Sequence, residues 1–185
     1  GNTQPPFLAG ELAIGAQARF YARVAGNTPK ELTEIFIAAE KFKGTSLIEV
    51  LQNCVIFNNG CFTEFTDKKV REDKQLHVEH GQPMIFGKDR DKGLVLNGLK
   101  LEVVTIGENG VTEEDILIHD AHEQDPTLHQ MLVRLQDPIV TGLIRSYEDV
   151  TLEEREDALT EQVKANSTFV RTDDLFFSGE TYTVE

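Results

Sequence analysis

The sequence predicts an α/β protein that begins with a βαβ unit from a parallel sheet and continues into an α+β extension. Residues 45–59 hold a nearly continuous apolar run, the pattern of a strand covered on both faces. A helical pattern over residues 28–43 precedes this run, and an apolar stretch at residues 19–24 precedes the helix. A strand, a helix and a strand in this order form a crossover that joins parallel strands, so we expect a parallel sheet here.

The first element is a helix of small residues over residues 7–18, directly after a pair of prolines. Gly10 and Gly15 each lower helix stability by about 1 kcal/mol relative to alanine. We therefore expect these two glycines to allow close packing against another backbone.

The crossover helix carries clear signals at both ends. Thr28, Pro29 and Glu31 fit a capping box with proline at the first helical position. Gly44 is suited to end the helix. The apolar residues between them recur at helical spacing, and they are Leu32, Ile35, Phe36, Ala38, Ala39 and Phe42.

The run at residues 45–59 delivers Cys54 to a turn at the end of a buried strand. Its apolar residues are Leu47, Ile48, Val50 and Leu51, followed by Val55, Ile56 and Phe57. Asn58, Asn59 and Gly60 end the strand with turn-forming residues.

The next stretch predicts a short helix and then a β-hairpin. Thr66 could cap a helix that runs to Lys74. The Asn97-Gly98 pair between two apolar runs is a strong hairpin signal. Alternation after the turn, from Leu99 to Thr105, predicts one half-buried face.

The rest of the chain predicts a helix, a strand, a second helix and an acidic tail. Asp125-Pro126 opens the first helix, residues 139–144 read as the strand, and residues 151–165 as the last helix. The tail, residues 169–185, carries scattered aromatic residues. We expect it to dock on a surface, in this chain or in another.

Composition excludes several classes of function. The 185 residues carry 18 basic against 32 acidic side chains, a net charge of −14, with no basic patch for nucleic acid. No apolar run approaches the ~20 residues of a membrane span, and no signal peptide is recognisable. Two cysteines without a disulfide framework favour a cytoplasmic location. Gly1 resembles a cloning remnant, and we expect residues 2–6 to enter the protein in mid-course.

The sequence holds few residues with recognisable chemistry. Walker, Rossmann, Gly-x-Ser-x-Gly and His-Glu-x-x-His motifs are all missing from it. His119, Asp120, His122 and Glu123 could supply metal ligands, but loosely spaced histidines are more often structural, and the same holds for His77 and His80. Cys54 has two interpretations: a small core residue at a strand end, or a thiolate ligand where open α/β sheets bind their ligands.

The sequence resembles the β subunits of the 2-oxoacid:ferredoxin oxidoreductases, from about residue 5 to about residue 150. Residues 12–23 are similar to that family's Leu-Ala-x-x-x-Gly-Ala-x-Phe-Val-Ala-Arg stretch. Residues 43–58 are similar to its Lys-Gly-Phe-Ser-Phe-Ile-x-Val-Leu-Gln-Pro-Cys-Val-Thr-Phe-Asn stretch. Three segments resemble its 2-oxoglutarate branch, and they are residues 80–87, 97–101 and 118–120.

The resemblance implies a specific parent enzyme. Members of the family decarboxylate a 2-oxoacid on thiamin diphosphate with Mg²⁺, transfer the acyl group to coenzyme A, and pass electrons through a 4Fe–4S cluster to ferredoxin. The implied partners are an α subunit, ferredoxin, 2-oxoglutarate and coenzyme A. Residues 1–59 would be the C-terminal portion of the thiamin-diphosphate-binding domain, and residues 60–185 a β-subunit extension with an acidic tail.

The resemblance also assigns Cys54 as a metal ligand, because it aligns with the family's fourth cluster cysteine. The family's Gly-Asp-Gly motif and Cys-x-x-Cys pair are missing from this sequence, so we expect the chain alone to be inactive and to bind neither cofactor. Asn53 replaces the family's proline and Thr45 a bulky aromatic residue, and we expect Asn53 to loosen the turn. Cys61 matches no family ligand and is interpreted as structural.

Two alternatives stay open. The substrate could be pyruvate or a branched 2-oxoacid, and the chain could instead be a subunit-interaction module without a redox role. A sheet cut short exposes an edge strand, so we also expect the isolated chain to self-associate.

Overall fold

The computed structural model describes residues 3–169, 171–180, 182 and 184. Two compact units are present, residues 1–148, here the main unit, and residues 149–185, here the C-terminal segment. The helices of the main unit are α1 Ala9–Gly15, α2 Pro29–Lys41, α3 Thr63–Thr66, α4 Arg71–Lys74 and α5 Thr127–Arg134. Its strands are β1 Phe20–Ala25, β2 Ser46–Leu51, β3 Gln75–Val78, β4 Ile85–Phe86, β5 Lys92–Asn97, β6 Lys100–Thr105 and β7 Ile139–Ser146.

The βαβ unit is confirmed, but the sheet that contains it is mixed. The strand order is β2-β1-β7-β3, with β1 parallel to β2 and β3 parallel to β7. Strand β7 runs antiparallel to β1, so the expectation of a wholly parallel sheet is wrong. The sheet combines parallel and antiparallel pairs because β7, its last strand in the sequence, lies between β1 and β3.

Both faces of the sheet are covered. Alternate residues of β1 point to opposite faces and pack into a different core on each side. On one side Phe20 and Ala22 pack with Ile35 of α2 and with Phe42, which directly follows α2. The Phe20 and Phe42 rings lie 5.3 Å apart. On the other side a larger core surrounds Tyr21, and its other fully buried members include Leu76, Met84, Leu94, Leu132, Val133, Val140 and Ile144.

The predicted hairpin is confirmed as β5 and β6, which form a second, three-stranded antiparallel sheet with β4. Asn97 pairs with Lys100, so the turn consists of Gly98 and Leu99. Gly98 has φ +61°, a conformation that glycine adopts at little cost. Leu99 is 95% exposed at this turn, so the predicted half-buried face begins only at Leu101.

The strand predicted over residues 45–59 is shorter and less covered than expected. It forms β2 over Ser46–Leu51 and lies at the edge of the sheet. Leu47 and Val50 are each 37% exposed, and the apolar residues that follow the strand are exposed in a turn. The expected burial on both faces is therefore wrong, because the described elements that pack on β2 cover its faces only in part.

Two predicted helix caps do not form. Thr28 precedes α2, but its hydroxyl donates to the Ala25 carbonyl at 2.7 Å instead of capping the helix. Glu31 is not available for a capping box because its carboxylate lies 2.9 Å from Nδ1 of His77 on β3. Thr66 is the last residue of α3 rather than the cap of a helix to Lys74.

The division into compact units differs from the predicted division at residue 59. The four-stranded sheet takes strands from both sides of that point, and the units divide between Glu148 and Asp149. The assignment of residues 1–59 to a thiamin-diphosphate-binding domain concerns the parent protein and stays a prediction. In the C-terminal segment, α6 spans Leu152–Asn166 and α7 Thr172–Phe176, so the predicted last helix is confirmed.

Candidate functional site

Cys54 lies in a tight turn just beyond the carboxyl end of β2. Strand β2 ends at Leu51, and Cys54 then pairs with Asn58, whose N–H donates to the Cys54 carbonyl at 3.0 Å. Cys54 is exposed and carries a free thiol. The parallel pair β1–β2 thus delivers the thiol to the edge of the sheet where open α/β sheets bind their ligands.

The side chain of Asn53 closes this turn. Its amide Nδ2 donates to Oδ1 of Asn59 at 3.0 Å, and the Gly60 N–H donates to Oδ1 of Asn53 at 2.7 Å. Gly60 has φ +82°, which lets the backbone approach Asn53. The expectation that Asn53 loosens the turn is therefore wrong, because the amide joins both ends of the turn.

The backbone of the turn favours the thiolate form of Cys54. The N–H group of Phe57, then that of Ile56 and more weakly that of Asn58 hydrogen-bond to the sulfur and hold the pKa of the thiol below its ordinary value. Hydrogen bonds to a charged form stabilise that form. A thiolate is the form of cysteine that ligates metals, so the lowered pKa favours metal ligation by Cys54.

Three exposed apolar side chains directly follow Cys54 in the chain. Val55 is 71% exposed, Ile56 81% and Phe57 89%. Contiguous apolar surface of this kind marks an interaction site rather than a solvent-facing loop. The same three residues form the second half of the apolar run in the sequence, so the sequence signals burial that the described chain does not provide.

A cavity of about 240 Å³ lies beside the Cys54 turn, at the carboxyl ends of β1 and β2. The N–H of Gly26, which follows β1, donates to the Leu51 carbonyl at 3.0 Å and holds the two strand ends together. Asn27 donates to the Thr66 carbonyl at 3.0 Å, which fixes α3 beside them. The cavity is lined by Gly26, Asn27, Leu51, Gln52, Asn53, Phe62, Thr63 and Thr66.

A buried polar cluster fixes the two strands that carry the turn. Arg23 of β1 lies opposite Glu49 of β2, and its Nε donates to Glu49 at 2.7 Å. The hydroxyl of Tyr21 donates to the same carboxylate, and burial raises the pKa of this phenol well above its usual range. Sequence reasoning missed this cluster. The signal was an arginine on a strand whose neighbours are all apolar.

The histidines at positions 119, 122 and 129 have structural roles. Nε2 of His119 donates to the Leu143 carbonyl at 2.9 Å, and Nδ1 of His122 lies 2.6 Å from the Ser146 carbonyl. His129 donates to the Asp120 carbonyl at 2.8 Å, and its Nδ1 faces the buried guanidinium of Arg145 at 2.8 Å. With these ring nitrogens directed at backbone carbonyls and at a cation, the metal interpretation loses its support.

His77 and His80 pair with carboxylates at the surface. Nδ1 of His77 lies 2.9 Å from Glu31, and this contact raises the pKa of His77. Nδ1 of His80 lies 3.2 Å from Asp120. Within the residues that the structure describes, no group of three or more histidine, cysteine or acidic side chains could hold a metal ion.

The residues present fit one ligand of an iron–sulfur cluster. Cys54 offers an exposed sulfur with backbone donors directed at it, and such hydrogen bonds tune cluster potentials. The sequence contains only one other cysteine, Cys61, so this stretch cannot supply four ligands. Cys61 is half-buried with a free thiol, and its structural interpretation stays a prediction.

Comparison with solved structures identifies the class of fold. A 2-oxoglutarate:ferredoxin oxidoreductase from Magnetococcus marinus, solved with 2-oxoglutarate, coenzyme A and succinyl-CoA bound, matches with a TM-score of 0.60. The match covers 97% of this chain and 47% of that chain at 14% identity. The main unit and its Cys54 turn thus stand on a fold shared with part of such an enzyme.

Comparison with curated proteins identifies a particular relative. The sequence is 32% identical to the 2-oxoglutarate oxidoreductase subunit KorB of Mycobacterium tuberculosis over 191 aligned positions. All of this chain and 50% of the relative are covered, so the chain spans about half the length of the protein it matches. The resemblance to a 2-oxoglutarate oxidoreductase subunit is thereby confirmed. No model of a protein family matches the sequence.

Membrane insertion finds no support in the helices. Among the described residues, none of the helices combines the length and apolar character needed to cross a bilayer.

Proposed function

We propose that this chain is the C-terminal part of the β subunit of a 2-oxoglutarate:ferredoxin oxidoreductase. The parent enzyme would convert 2-oxoglutarate and coenzyme A to succinyl-CoA and CO₂ and pass the electrons to ferredoxin. Similarity to the KorB subunit along the whole chain supports this assignment. The observation that carries it is the Cys54 turn, which presents an exposed thiol with a lowered pKa at the end of a parallel strand.

Cys54 would be one of the four cysteine ligands of a 4Fe–4S cluster. The cluster supplies one-electron transfer between the substrate chemistry and ferredoxin. The part of this chain is to hold the sulfur: β2 sets its position, and the Asn53 amide closes the turn. The N–H groups of Phe57 and Ile56 stabilise negative charge on the sulfur.

The groups that complete the site would come from outside this stretch. Thiamin diphosphate and Mg²⁺ require a Gly-Asp-Gly motif, which this sequence lacks, and Cys61 alone cannot supply the other three cluster ligands. By itself the chain is expected to be inactive. In the parent enzyme its partners would be the α subunit and ferredoxin, in the cytoplasm.

The exposed apolar residues beside the thiol agree with this role. Val55, Ile56 and Phe57 would be buried in the parent protein, where they would shield the cluster from water. Solvent exclusion around a cluster is one of the factors that set its potential. Each of these residues would thus have a function that the isolated chain leaves unused.

The experiment compares Cys54→Ser with wild type in the full-length protein, expressed anaerobically with its companion subunit. We expect wild type to reduce a dye with 2-oxoglutarate and coenzyme A and to give the EPR signal of a reduced 4Fe–4S cluster. Cys54→Ser should lose or distort both the signal and the activity. Cys61→Ser is the matched control and should retain both.

The same assay decides the alternatives. Turnover of pyruvate or a branched 2-oxoacid in place of 2-oxoglutarate would reassign the substrate. An unchanged EPR signal in Cys54→Ser would contradict the ligand assignment and return Cys54 to a structural thiol. An absence of activity with every 2-oxoacid, with no cluster signal in wild type, would favour the interaction module.

A further inference from the structure

The C-terminal segment, residues 149–185, carries half of the net charge of the chain. It contains ten acidic and three basic residues, a net charge of −7 out of −14. The three basic side chains are paired inside the segment: Arg155 with Asp149 at 2.8 Å, Lys164 with Glu161 at 2.9 Å, and Arg171 with Asp173 at 2.9 Å. The segment therefore presents a surplus of negative charge that its own cations do not balance.

Helix α6 is well defined at its start although it buries none of its side chains. Thr151 and Glu154 form a reciprocal capping box, with Glu154 N–H to Thr151 Oγ1 at 3.2 Å and Thr151 N–H to Glu154 Oε2 at 2.8 Å. None of the residues of α6 or α7 is buried. A helix of 15 residues is marginal in water without a packed face, so we expect its stability to come from a partner.

Three apolar side chains of α6 lie on one face of the helix. Leu152, Leu159 and Val163 fall within about 40° of one another around α6, at 100° per residue. They are 66%, 60% and 60% exposed. A groove of about 920 Å³ between α6 and α7 is lined by Leu159 and Val163 and by Phe169 and Leu175.

We propose that the C-terminal segment is a docking arm whose groove between α6 and α7 receives an apolar segment of a partner protein that is flanked by basic residues. That apolar segment would lie against Leu159 and Val163, and the acidic residues of the docking arm would pair with the partner's cations. This inference rests on the proposed function in one respect: the partner that we name is the companion subunit of the oxidoreductase.

Charge decides between this partner and a second copy of the chain. The main unit carries the other −7 of the net charge, so a second copy would meet the segment with charge of the same sign. Like charges across an interface disfavour association, whereas opposite charges steer it and set its specificity. A basic protein is thus the occupant that the segment favours.

The test measures binding of the full-length protein to the purified companion subunit by biolayer interferometry. We expect Leu159→Ser combined with Val163→Ser to weaken binding about a hundredfold, since each buried aliphatic side chain contributes ~1.5 kcal/mol or more. Binding of wild type should also weaken as NaCl is raised from 50 mM to 500 mM, because salt screens the charge attraction.

The matched control is Ala158→Ser combined with Ala165→Ser. These alanines lie on the same helix but about 100–120° around it from Leu159, and both are exposed. The control introduces the same two serines and at least as large a loss of helix propensity. It should bind within about twofold of wild type. Hydrogen exchange of residues 152–166 should slow in the wild-type complex and not in the Leu159/Val163 variant.

Each outcome decides the proposal. Equal binding of the Leu159/Val163 variant and wild type would overturn the docking arm while leaving the oxidoreductase assignment intact. If both serine variants lost binding affinity equally, lower helix propensity would explain the loss, and the docking arm would also be overturned. If wild type does not bind the companion subunit, the partner assignment is wrong, and the EPR comparison of Cys54→Ser decides the function separately.

Discussion

Asn53 is the residue on which the geometry of the Cys54 turn depends most. Its side chain makes two hydrogen bonds that close the turn. The backbone N–H groups that lower the pKa of the Cys54 thiol, those of Phe57 and Ile56, lie within this closed turn. Asn53→Ala should raise the pKa of the Cys54 thiol toward its ordinary value. Alkylation by iodoacetamide at pH 7, measured in a Cys61→Ser background, should slow by roughly two- to fivefold.

Asn59→Ala is the graded control for this prediction. It removes the contact to Asn59 and keeps the one from Gly60, so its effect should lie between wild type and Asn53→Ala. A pH profile of alkylation that is identical in all three proteins would show that the amide clamp does not act on the sulfur.

His119 should make the stability of the main unit depend on pH. Burial lowers its pKa to about 4 from 6.5, and its Nδ1 has no hydrogen-bond partner, so protonation would bury an unpaired N–H. A histidine pKa that is lowered in the folded state means that stability is lost as the pH falls from about 6.5 toward 4. The loss assigned to this residue is at most about 3 kcal/mol.

The measurement is urea unfolding at pH 7.0, 5.5 and 4.5 for wild type and His119→Gln, whose amide can still donate to Leu143. The variant should be less stable at pH 7 and should lose less stability on acidification.

His77→Gln is a control for which the expected pH dependence has the opposite sign. Glu31 raises the pKa of His77, so its stabilising contribution is present at low pH and is lost as the pH rises. Parallel pH profiles of wild type and His119→Gln would contradict the assignment.

At the scale of the element, α1 contains two glycines, and we expect alanine at the two positions to change the free energy of unfolding in opposite directions. A Cβ added to Gly10 would lie 2.8 Å from both the Tyr21 hydroxyl and Cβ of Val133. Gly10→Ala should therefore destabilise the protein by ~1–3 kcal/mol despite the gain in helix propensity. Gly15 is the matched control: its nearest neighbour would be Gln130 Nε2 at 3.8 Å, so Gly15→Ala should stabilise by up to about 1 kcal/mol.

Thermal or urea unfolding of the two single variants checks this prediction. Stabilisation by Gly10→Ala would mean that α1 can shift away from β1 and α5 at little cost. The expectation of close packing against another backbone is correct for Gly10 only in the closeness of the contact, because the neighbours are the side chains of Tyr21 and Val133. It is wrong for Gly15.

Most elements could be predicted because their signals are local. Pro29 marks the start of α2, the Asn97-Gly98 pair marks the hairpin, and Thr151 with Glu154 marks α6. The place of β7 between β1 and β3 could not be predicted, because residues 139–146 and 20–25 meet only in the tertiary structure. Local periodicity contains no information on which strand becomes a neighbour.

The candidate site was predicted in part. Cys54 was identified by the match around it, but its closing contacts depend on side chains whose directions are set by the turn. The apolar run at Val55–Phe57 was interpreted as burial within the sheet. A hydrophobic pattern records that residues are buried somewhere, and it does not say whether the covering surface belongs to the same stretch of chain.

At the scale of the whole molecule, the exposed edge of β2 predicts self-association of the isolated chain. Leu47 and Val50 lie on this edge strand beside the exposed turn at Val55–Phe57. Open edges with apolar side chains pair with other chains. We expect a dimer or an exchange of elements, which should increase with salt as repulsion between acidic chains is screened. The docking arm predicts the opposite salt dependence for its partner.

Light scattering during size-exclusion chromatography checks this at high protein concentration. Val50→Lys should shift the chain toward monomer, because lysine on an edge strand opposes pairing. Leu99→Lys is the matched control, since Leu99 is 95% exposed in the β5–β6 turn of the other sheet. A wild-type monomer at every salt concentration would contradict the prediction.

The central position of β7 has a consequence for the order of events during synthesis. The ribosome releases β1, α2, β2 and the Cys54 turn long before residues 139–146, yet β1 lacks one of its two neighbours until β7 arrives. Domains acquire their fold as units during translation. The Cys54 turn is therefore synthesised before its sheet is complete, and the cluster insertion proposed for the parent enzyme would follow translation of β7.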